Sequence, residues 1–200
     1  MTIVLATKNE DKIREIKEIL SDLPVELKTM ADFPEMPDVE ETGATLKENA
    51  LKKAMEFHKF TGLPALADDT GLEVDALSGA PGVYSSRFAG EDASYADNRK
   101  KLLEELKDVP EDSRTAQFRC VVAFVEGSYE ITTEGIVRGK ILRAEQGDRG
   151  FGYDPVFWVP EFKKTFAEID PEKKNLISHR GIAFRKMKAK LEAIFKEKMY

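Results

Sequence analysis

The chain has 200 residues, with 31 Lys and Arg against 37 Asp and Glu, giving a formal net charge of −6. That length suffices for one large domain or two small lobes around a real hydrophobic core, and a hydrophobic fraction of 42% with 12 Phe excludes intrinsic disorder. The acidic balance, with an isoelectric point near 5.2, argues against a surface that coats nucleic acid through its phosphates, yet leaves room for a local basic pocket for a small anion.

The single cysteine, Cys120, excludes an internal disulfide and a thiolate zinc site, and in the apolar run to Val125 it reads as a buried inert thiol. The N-terminal apolar stretch reaches Lys8 too soon for a signal peptide, and no run approaches the ~20 residues that span a bilayer. A soluble, cytoplasmic protein with no membrane partner is expected.

Thr2 to Thr7 is apolar without alternation, the pattern of a buried inner strand. A helix is expected from Asn9 or Glu10, with Ile13, Ile16 and Leu20 on one face and Pro24 closing the unit. Met30 to Gly43, with Pro34, Pro37 and many acids, reads as an ordered loop. Thr45 followed by Glu48 fits a capping box ahead of a helix whose apolar face is Leu46, Ala50, Ala54 and Phe57. Leu63 to Ala67 is a second apolar strand ending on the turn-like Asp68-Asp69-Thr70-Gly71, and Leu72, Val74 and Ala76 then alternate as in a half-buried strand. Turn chemistry from Ser78 to Gly82 and a loop through Arg87 and Gly90 lead to a helix from Ser94 to Lys107, carrying Leu102, Leu103 and Leu106. Thr115 to Glu126 and Tyr129 to Arg138 form an antiparallel pair joined at Gly127-Ser128. A Gly-rich aromatic loop, Gly147 to Pro155, precedes a last helix from Ser178 to Lys198 that turns Phe184, Met187, Leu191, Ile194 and Phe195 inward. The fold class is α/β: a mixed sheet with flanking helices, one domain over 1–200 with two lobes around a central cleft.

Four clusters can carry chemistry, each with a plainer alternative. Thr7 to Lys12 is a turn into a helix start, where free N–H groups and Lys12 suit an anion, or simply a capped helix with surface lysines; it lacks the glycines of a Walker loop or a dinucleotide fingerprint. Glu40-Glu41 and Asp68-Asp69 are paired hard-oxygen donors that suit Mg²⁺ or a water-activating base, or are solvated turns. Gly150 to Pro155 sets aromatic rings beside glycines, where a flat base can stack, or is a packed aromatic corner. Lys174 to Arg180 gathers a Lys, a Ser, a His and an Arg before the last helix, as donors or as simple capping. His58 sits on a helix and carries no assigned role.

The combination is more specific than its parts. Leu5-Ala6-Thr7-Lys8-Asn9 through Lys12, Glu40 to Gly43, Glu48-Asn49-Ala50 through Lys53-Ala54, and Ala67 to Leu72 open an ordered series. Gly79 to Ser85, Phe151 to Pro155 and Ser178-His179-Arg180 complete it. Over nearly the whole chain these segments resemble the inosine triphosphate pyrophosphatase family, the XTP/dITP diphosphatases that cleanse nucleotide pools.

The resemblance implies an elongated α/β fold with two lobes flanking a cleft, a homodimer, and Mg²⁺-dependent cleavage of ITP, dITP and XTP to monophosphate and pyrophosphate. It places Asp69 as proton acceptor and metal ligand, Glu40 as the other metal position, and Glu41 and Asp68 as adjacent candidates. Thr7, Lys8, Asn9, Glu10, Asp11, Lys12, Lys53, Thr70 and Lys174 match phosphate or sugar contacts, and Phe151, Gly152, Tyr153, Asp154, His179 and Arg180 match the base pocket. Lys8 stands where the family most often has Gly, and Thr70 where many members have Ser; neither change removes a ligand or a charge. Donors from His179 and Arg180 would accept the 6-carbonyl of hypoxanthine or xanthine and oppose the amino group of adenine; no residue explains the exclusion of guanine. A triphosphate hydrolase of broader base preference and a non-catalytic nucleotide-binding protein are the alternatives.

Overall fold

Strand β1 (Thr2–Leu5) buries Ile3, Val4 and Leu5 almost completely and pairs in parallel with both of its neighbours, β2 (Glu26–Lys28) on one edge and β3 (Ala65–Val74) on the other. Parallel pairing on both sides requires cover on both faces, which explains an apolar run with no alternation. Helix α1 (Glu10–Ile19), capped by Asn9, carries the chain from β1 to β2. Helix α2 (Leu46–Thr61), opened by the Thr45/Glu48 capping box and closed by Gly62 at φ 70°, carries it to β3.

The structure, a computed structural model, describes residues 1–198. After β3 come α3 (Tyr95–Glu105), the hairpin β4 (Thr115–Glu126) and β5 (Tyr129–Ile141), the short strands β6 (Phe157–Val159) and β7 (Lys164–Thr165), and helices α4 (Pro171–Ile177) and α5 (His179–Lys198). The sheet has seven strands in the order β2-β1-β3-β4-β5-β6-β7, parallel at the β1 end and antiparallel from β5 to β7. The expected mixed α/β fold is therefore present.

The chain divides into two compact units, with the boundary falling inside β3 after Asp69, inside β4 before Cys120 and inside β5 after Gly135. The first unit holds 1–69, 120–135 and the chain from His179 onward. Its core joins Ile3, Leu5, Ile16, Leu20 and Leu66 to Cys120, Val122, Phe124, Phe184, Met187 and Leu191, so the cysteine is buried as expected. Close approach is enforced at Gly135, where a Cβ would stand 2.1 Å from the His179 carbonyl oxygen. The second unit holds 70–119 and 136–178, and packs Phe118, Phe157 and Phe166 with Leu72, Val74, Leu102 and Leu106. There the buried Arg114 donates to the carbonyls of Leu106, Ile141 and Leu142, satisfying the end of α3 from the side.

The structure differs from the sequence reading at β3, at the short strands and before the last helix. Asp68-Asp69-Thr70-Gly71 is no turn but the middle of one continuous strand, β3, because neighbouring side chains supply partners for both carboxylates. The short strands β2, β6 and β7 lack a readable period. Helix α4, with Pro171 in its first turn, precedes the last helix, which begins at His179. Ile194 and Phe195 are half-buried, while Phe184, Met187 and Leu191 are fully inside.

Candidate active site

In the first unit the order β2-β1-β3 makes the chain step from β1 to one side through α1 and return from β2 past β1 to its other side through α2. Such a reversal is a switch point, and the crevice beyond the carboxyl end of the strand is the usual ligand site of an open α/β sheet. The residues there are Thr7 to Lys12, and beside them runs β3, since the Ala6 amide bonds the Leu66 carbonyl and Asp68 and Asp69 follow one residue further along β3. Successive strand residues point to opposite faces, so the two aspartates meet different helices.

Asp68 faces α1 and α5. Lys12 Nζ lies 3.0 Å from its Oδ2, and Arg180 Nε lies 3.6 Å away. Arg180 also donates to Glu15 at 2.6 Å, from an environment in which it is only 2% exposed. Burial drives the Asp68 carboxyl upward, but Lys12, Arg180 and Lys53 overcome it and hold the group well below the usual carboxylate range. Burial pushes Lys12 down, Asp68 more than restores it, and the ammonium ends raised. Arg180 is raised in the same way, burial being outweighed by Glu15 and Asp68.

Asp69 faces α2. Asn49 Nδ2 donates to its Oδ2 at 3.0 Å, and Lys53 Nζ lies 3.9 Å from its Oδ1. Lys53 is engaged already, donating to Glu41 and, at 2.7 Å, to the Asp68 backbone carbonyl. Burial raises Asp69, Lys53 lowers it, and the nearby Glu41 carboxylate raises it again, so that the net displacement is upward. A raised carboxyl in a partly polar niche is poised to take a proton.

The acidic loop before α2 is bonded to the helix residue by residue. Thr42 Oγ1 accepts from Lys52 at 2.9 Å, Gly43 N–H donates to Asn49 Oδ1 at 2.7 Å, and the Ala44 and Thr45 amides donate to Glu48. Glu41 is thereby brought to Lys53, whereas Glu40 is exposed.

The turn after β1 is internally ordered: Thr7 Oγ1 accepts from the Asn9 amide at 3.2 Å and Asn9 Oδ1 from the Lys12 amide at 3.1 Å. Lys8 is exposed and paired with Asp38, Glu10 is exposed, and Asp11 accepts from Arg14 at 2.7 Å. His179, 3% exposed, starts α5 immediately before Arg180.

The other expected site residues belong to the second unit. Asp154 Oδ2 accepts from the Phe151 amide at 2.9 Å and from Lys174 Nζ at 2.6 Å, and Lys174 lies over the Phe151 ring at 4.8 Å. Gly150 adopts φ 71°, and a Cβ there would sit 2.1 Å from Asp154 Oδ2, so only glycine lets the loop close on the carboxylate. Tyr153 is buried and donates to the Ser85 carbonyl at 2.8 Å; burial pushes its phenol upward. Gly152 presents its carbonyl to Arg99. Phe151 and Gly152 stay half-buried, as does Thr70.

Two contributors were missed by sequence reading, Glu15 and Asn49. Asn49 and Lys53 occupy the buried stripe Leu46, Asn49, Ala50, Lys53, Ala54, Phe57 of α2, and Glu15 lies between Ile13 and Ile16 on α1. A polar residue at core spacing was the available signal.

Among the described residues no three Asp, Glu, His or Cys side chains converge as a closed metal cage. The donors on the α2 side are the oxygens of Asp69 and Glu41, and Mg²⁺ usually takes one or two carboxylates with the rest from water and phosphate, so the set fits that ion. In the whole cluster Glu15, Glu41, Asp68 and Asp69 face Lys12, Lys53 and Arg180, an excess of negative charge that favours a cation.

The model of the Ham1 family matches residues 3–190. A dITP/XTP pyrophosphatase of Desulforamulus reducens is 54% identical over 187 residues, 93% of this chain and 93% of that protein. The dITP/XTP pyrophosphatase of Geobacter sulfurreducens is 52% identical over 187 residues, 93% of this chain and 94% of its own length. Among solved structures, a HAM1 protein from Coxiella burnetii superposes with a TM-score of 0.89 at 45% identity, covering 96% of this chain and 99% of that one.

Proposed function

The chain belongs to the Ham1 family, and from that membership together with its buried carboxylate–cation cluster we propose that it hydrolyses non-standard purine nucleoside triphosphates, dITP, XTP and ITP, to the monophosphate and pyrophosphate. The observation that carries the reading is Asp69, a carboxyl raised in pKa and held between Asn49 and Lys53, in a chain 54% identical to a dITP/XTP pyrophosphatase.

In this reading water gives a proton to the Asp69 carboxylate as its oxygen bonds to the α-phosphorus, the bond from that phosphorus to the α,β-bridging oxygen breaks, and pyrophosphate leaves with the bridging oxygen. Asp69 and Glu41 would hold Mg²⁺, with Glu40 as an exposed outer acid. Bound Mg²⁺ supplies countercharge to the phosphate oxygens as the bond breaks. Lys12 and Lys53 offer ammonium donors to the phosphates, and the resemblance assigns phosphate or sugar contacts to Thr7 to Asp11 and to Thr70. Lys174, already neutralised by Asp154, serves as a positioned donor rather than as net charge. His179 and Arg180 present donors to a 6-carbonyl, with Glu15 and Asp68 fixing the guanidinium; for Phe151, in the second unit, the resemblance implies a base contact.

The test is pyrophosphate release from ITP, dITP, XTP, ATP and GTP, each with Mg²⁺ and with chelator. The expected result is preference for the first three, pyrophosphate as product, and loss of turnover in chelator. Preference for ATP, or release of single phosphates, overturns the reading. A homodimer, implied by the resemblance, and residence in the cytoplasm are proposals on the same footing. Sedimentation and cell fractionation test them. No helix among the described residues is long and apolar enough to cross a membrane.

A further inference from the structure

We propose that Asn49 is a positioning residue for the reaction, a two-sided amide clamp that fixes the Asp69 carboxylate and the acidic loop to one helix. The inference rests on Asp69 being the proton acceptor.

The carboxamide of Asn49 is 1% exposed and bonded at both ends. Its oxygen accepts the Gly43 amide at 2.7 Å, and its nitrogen donates to Asp69 Oδ2 at 3.0 Å. The two partners fix the orientation of the amide without ambiguity, because a backbone N–H needs the oxygen and a carboxylate needs the NH₂. The Gly43 bond locks the rotamer, so the NH₂ group has one direction in which to point. Asp69 Oδ2 is held there, and Oδ1 is left on the side of Lys53.

One turn further along α2, Lys53 repeats the connection, reaching Glu41 in the loop and the Asp68 carbonyl in β3. Residues i and i+4 share a helix face, so the two side chains act as parallel ties between loop and strand. They differ in chemistry. Lys53 contributes charge, whereas Asn49 is neutral, buried, and bonded to the loop at one end and to the strand at the other. Gly43 is part of the same device. A Cβ at this position would fall 2.7 Å from Asn49 Oδ1 and 2.7 Å from the Glu48 Cβ, so the loop reaches the amide only with glycine there.

Asn49→Asp separates the two sides of the clamp. It keeps the size and the acceptor for Gly43, removes the donor to Asp69 and places a like charge beside it. In steady-state assays with dITP, kcat should fall on the order of 10²-fold while KM stays within about threefold. Hydrogen exchange should show Gly43 as protected as in the wild type. Asn49→Ala should lose both kcat and that protection. Gly43→Ala, an independent route to the same clamp, should lower kcat at least tenfold through displacement of the Asn49 amide. If Asn49→Asp folds with the Gly43 amide protected and kcat stays within about threefold of wild type, or if Gly43→Ala leaves kcat unchanged, the proposal is overturned. Should wild type itself fail to hydrolyse dITP, the function reading falls instead, and the exchange data still report on the clamp.

Discussion

Asp68 and Asp69 are adjacent on one strand, yet the two faces of β3 treat them in opposite ways. On the α1 and α5 face, Asp68 meets Lys12 and Arg180 and is held strongly ionised. On the α2 face, Asp69 shares one lysine with Glu41, takes a neutral amide as its close partner, and is displaced toward protonation. The same residue type in the same element thus yields an electrostatic anchor on one side and a candidate base on the other. The period of two in a strand lets a single dipeptide serve both roles, because it delivers consecutive side chains to different helices.

The largest expected effect comes from removing the candidate base. Asp69→Asn should lower turnover by about 10²- to 10⁴-fold in the pyrophosphate assay. It should also raise the melting temperature. A carboxyl whose folded pKa lies above its ordinary 3.8 costs stability once charged; that cost is absent well below 3.8 and complete above the raised value, so at neutral pH a neutral amide relieves it. A fall in melting temperature would count against this account of Asp69. Asp68→Asn should do the reverse, leaving Lys12 without its buried countercharge and Arg180 with Glu15 alone, at a cost of about 3–5 kcal/mol in urea unfolding. The folded pKa of Asp68 is depressed, so its contribution is full above 3.8 and declines as pH falls toward the lowered value. The stability gap between wild type and Asp68→Asn should therefore narrow below that pH and remain constant above it. A gap insensitive to acid would mean that the anchor is not electrostatic.

How much of this was legible in the sequence follows from the range of the forces involved. Local signals carried through: the Thr45/Glu48 box, the apolar stripes of α1 and α5, and the Gly127-Ser128 hairpin turn are decided by residues a few positions apart. The Asp68-to-Gly71 segment read as turn chemistry because its partners, Asn49, Lys53 and Lys12, are supplied by other elements. The same gap hid the separation of Glu40 from Glu41, which follows from the loop's bonding to α2 and not from the acids themselves. Asn49 and Glu15 could have been suspected, since each puts a polar group where the helical period demands an apolar one. His58, without assigned role, joins the Leu63 carbonyl to the Gly127 amide, a tie between segments distant in sequence.

A smaller effect sharpens the contrast between the faces. Glu41→Gln removes the like charge that raises Asp69, so without Mg²⁺ the Asp69 pKa, followed by carboxyl NMR titration, should fall. The matching stability curve of the Asp68 cluster should move less, because Lys12 and Arg180 are its largest countercharges. Equal movement of both would show that the two faces are coupled through the strand.

The smallest expected effect concerns the frame that holds Asp69's side. Thr45 Oγ1 accepts the Glu48 amide at 3.1 Å while Glu48 returns bonds to Ala44 and Thr45, so the cap of α2 is also the last anchor of the acidic loop. Thr45→Ala should cost about 1 kcal/mol and reduce kcat by roughly two- to fivefold, and Thr45→Ser, which keeps the hydroxyl, should restore both. Loss of stability with no change in kcat would show that Asn49 and Lys53 hold the loop without the cap. In that case the geometry of the Asp69 face is set from within the stripe of α2, one and two turns inside the helix, and the cap serves the helix alone.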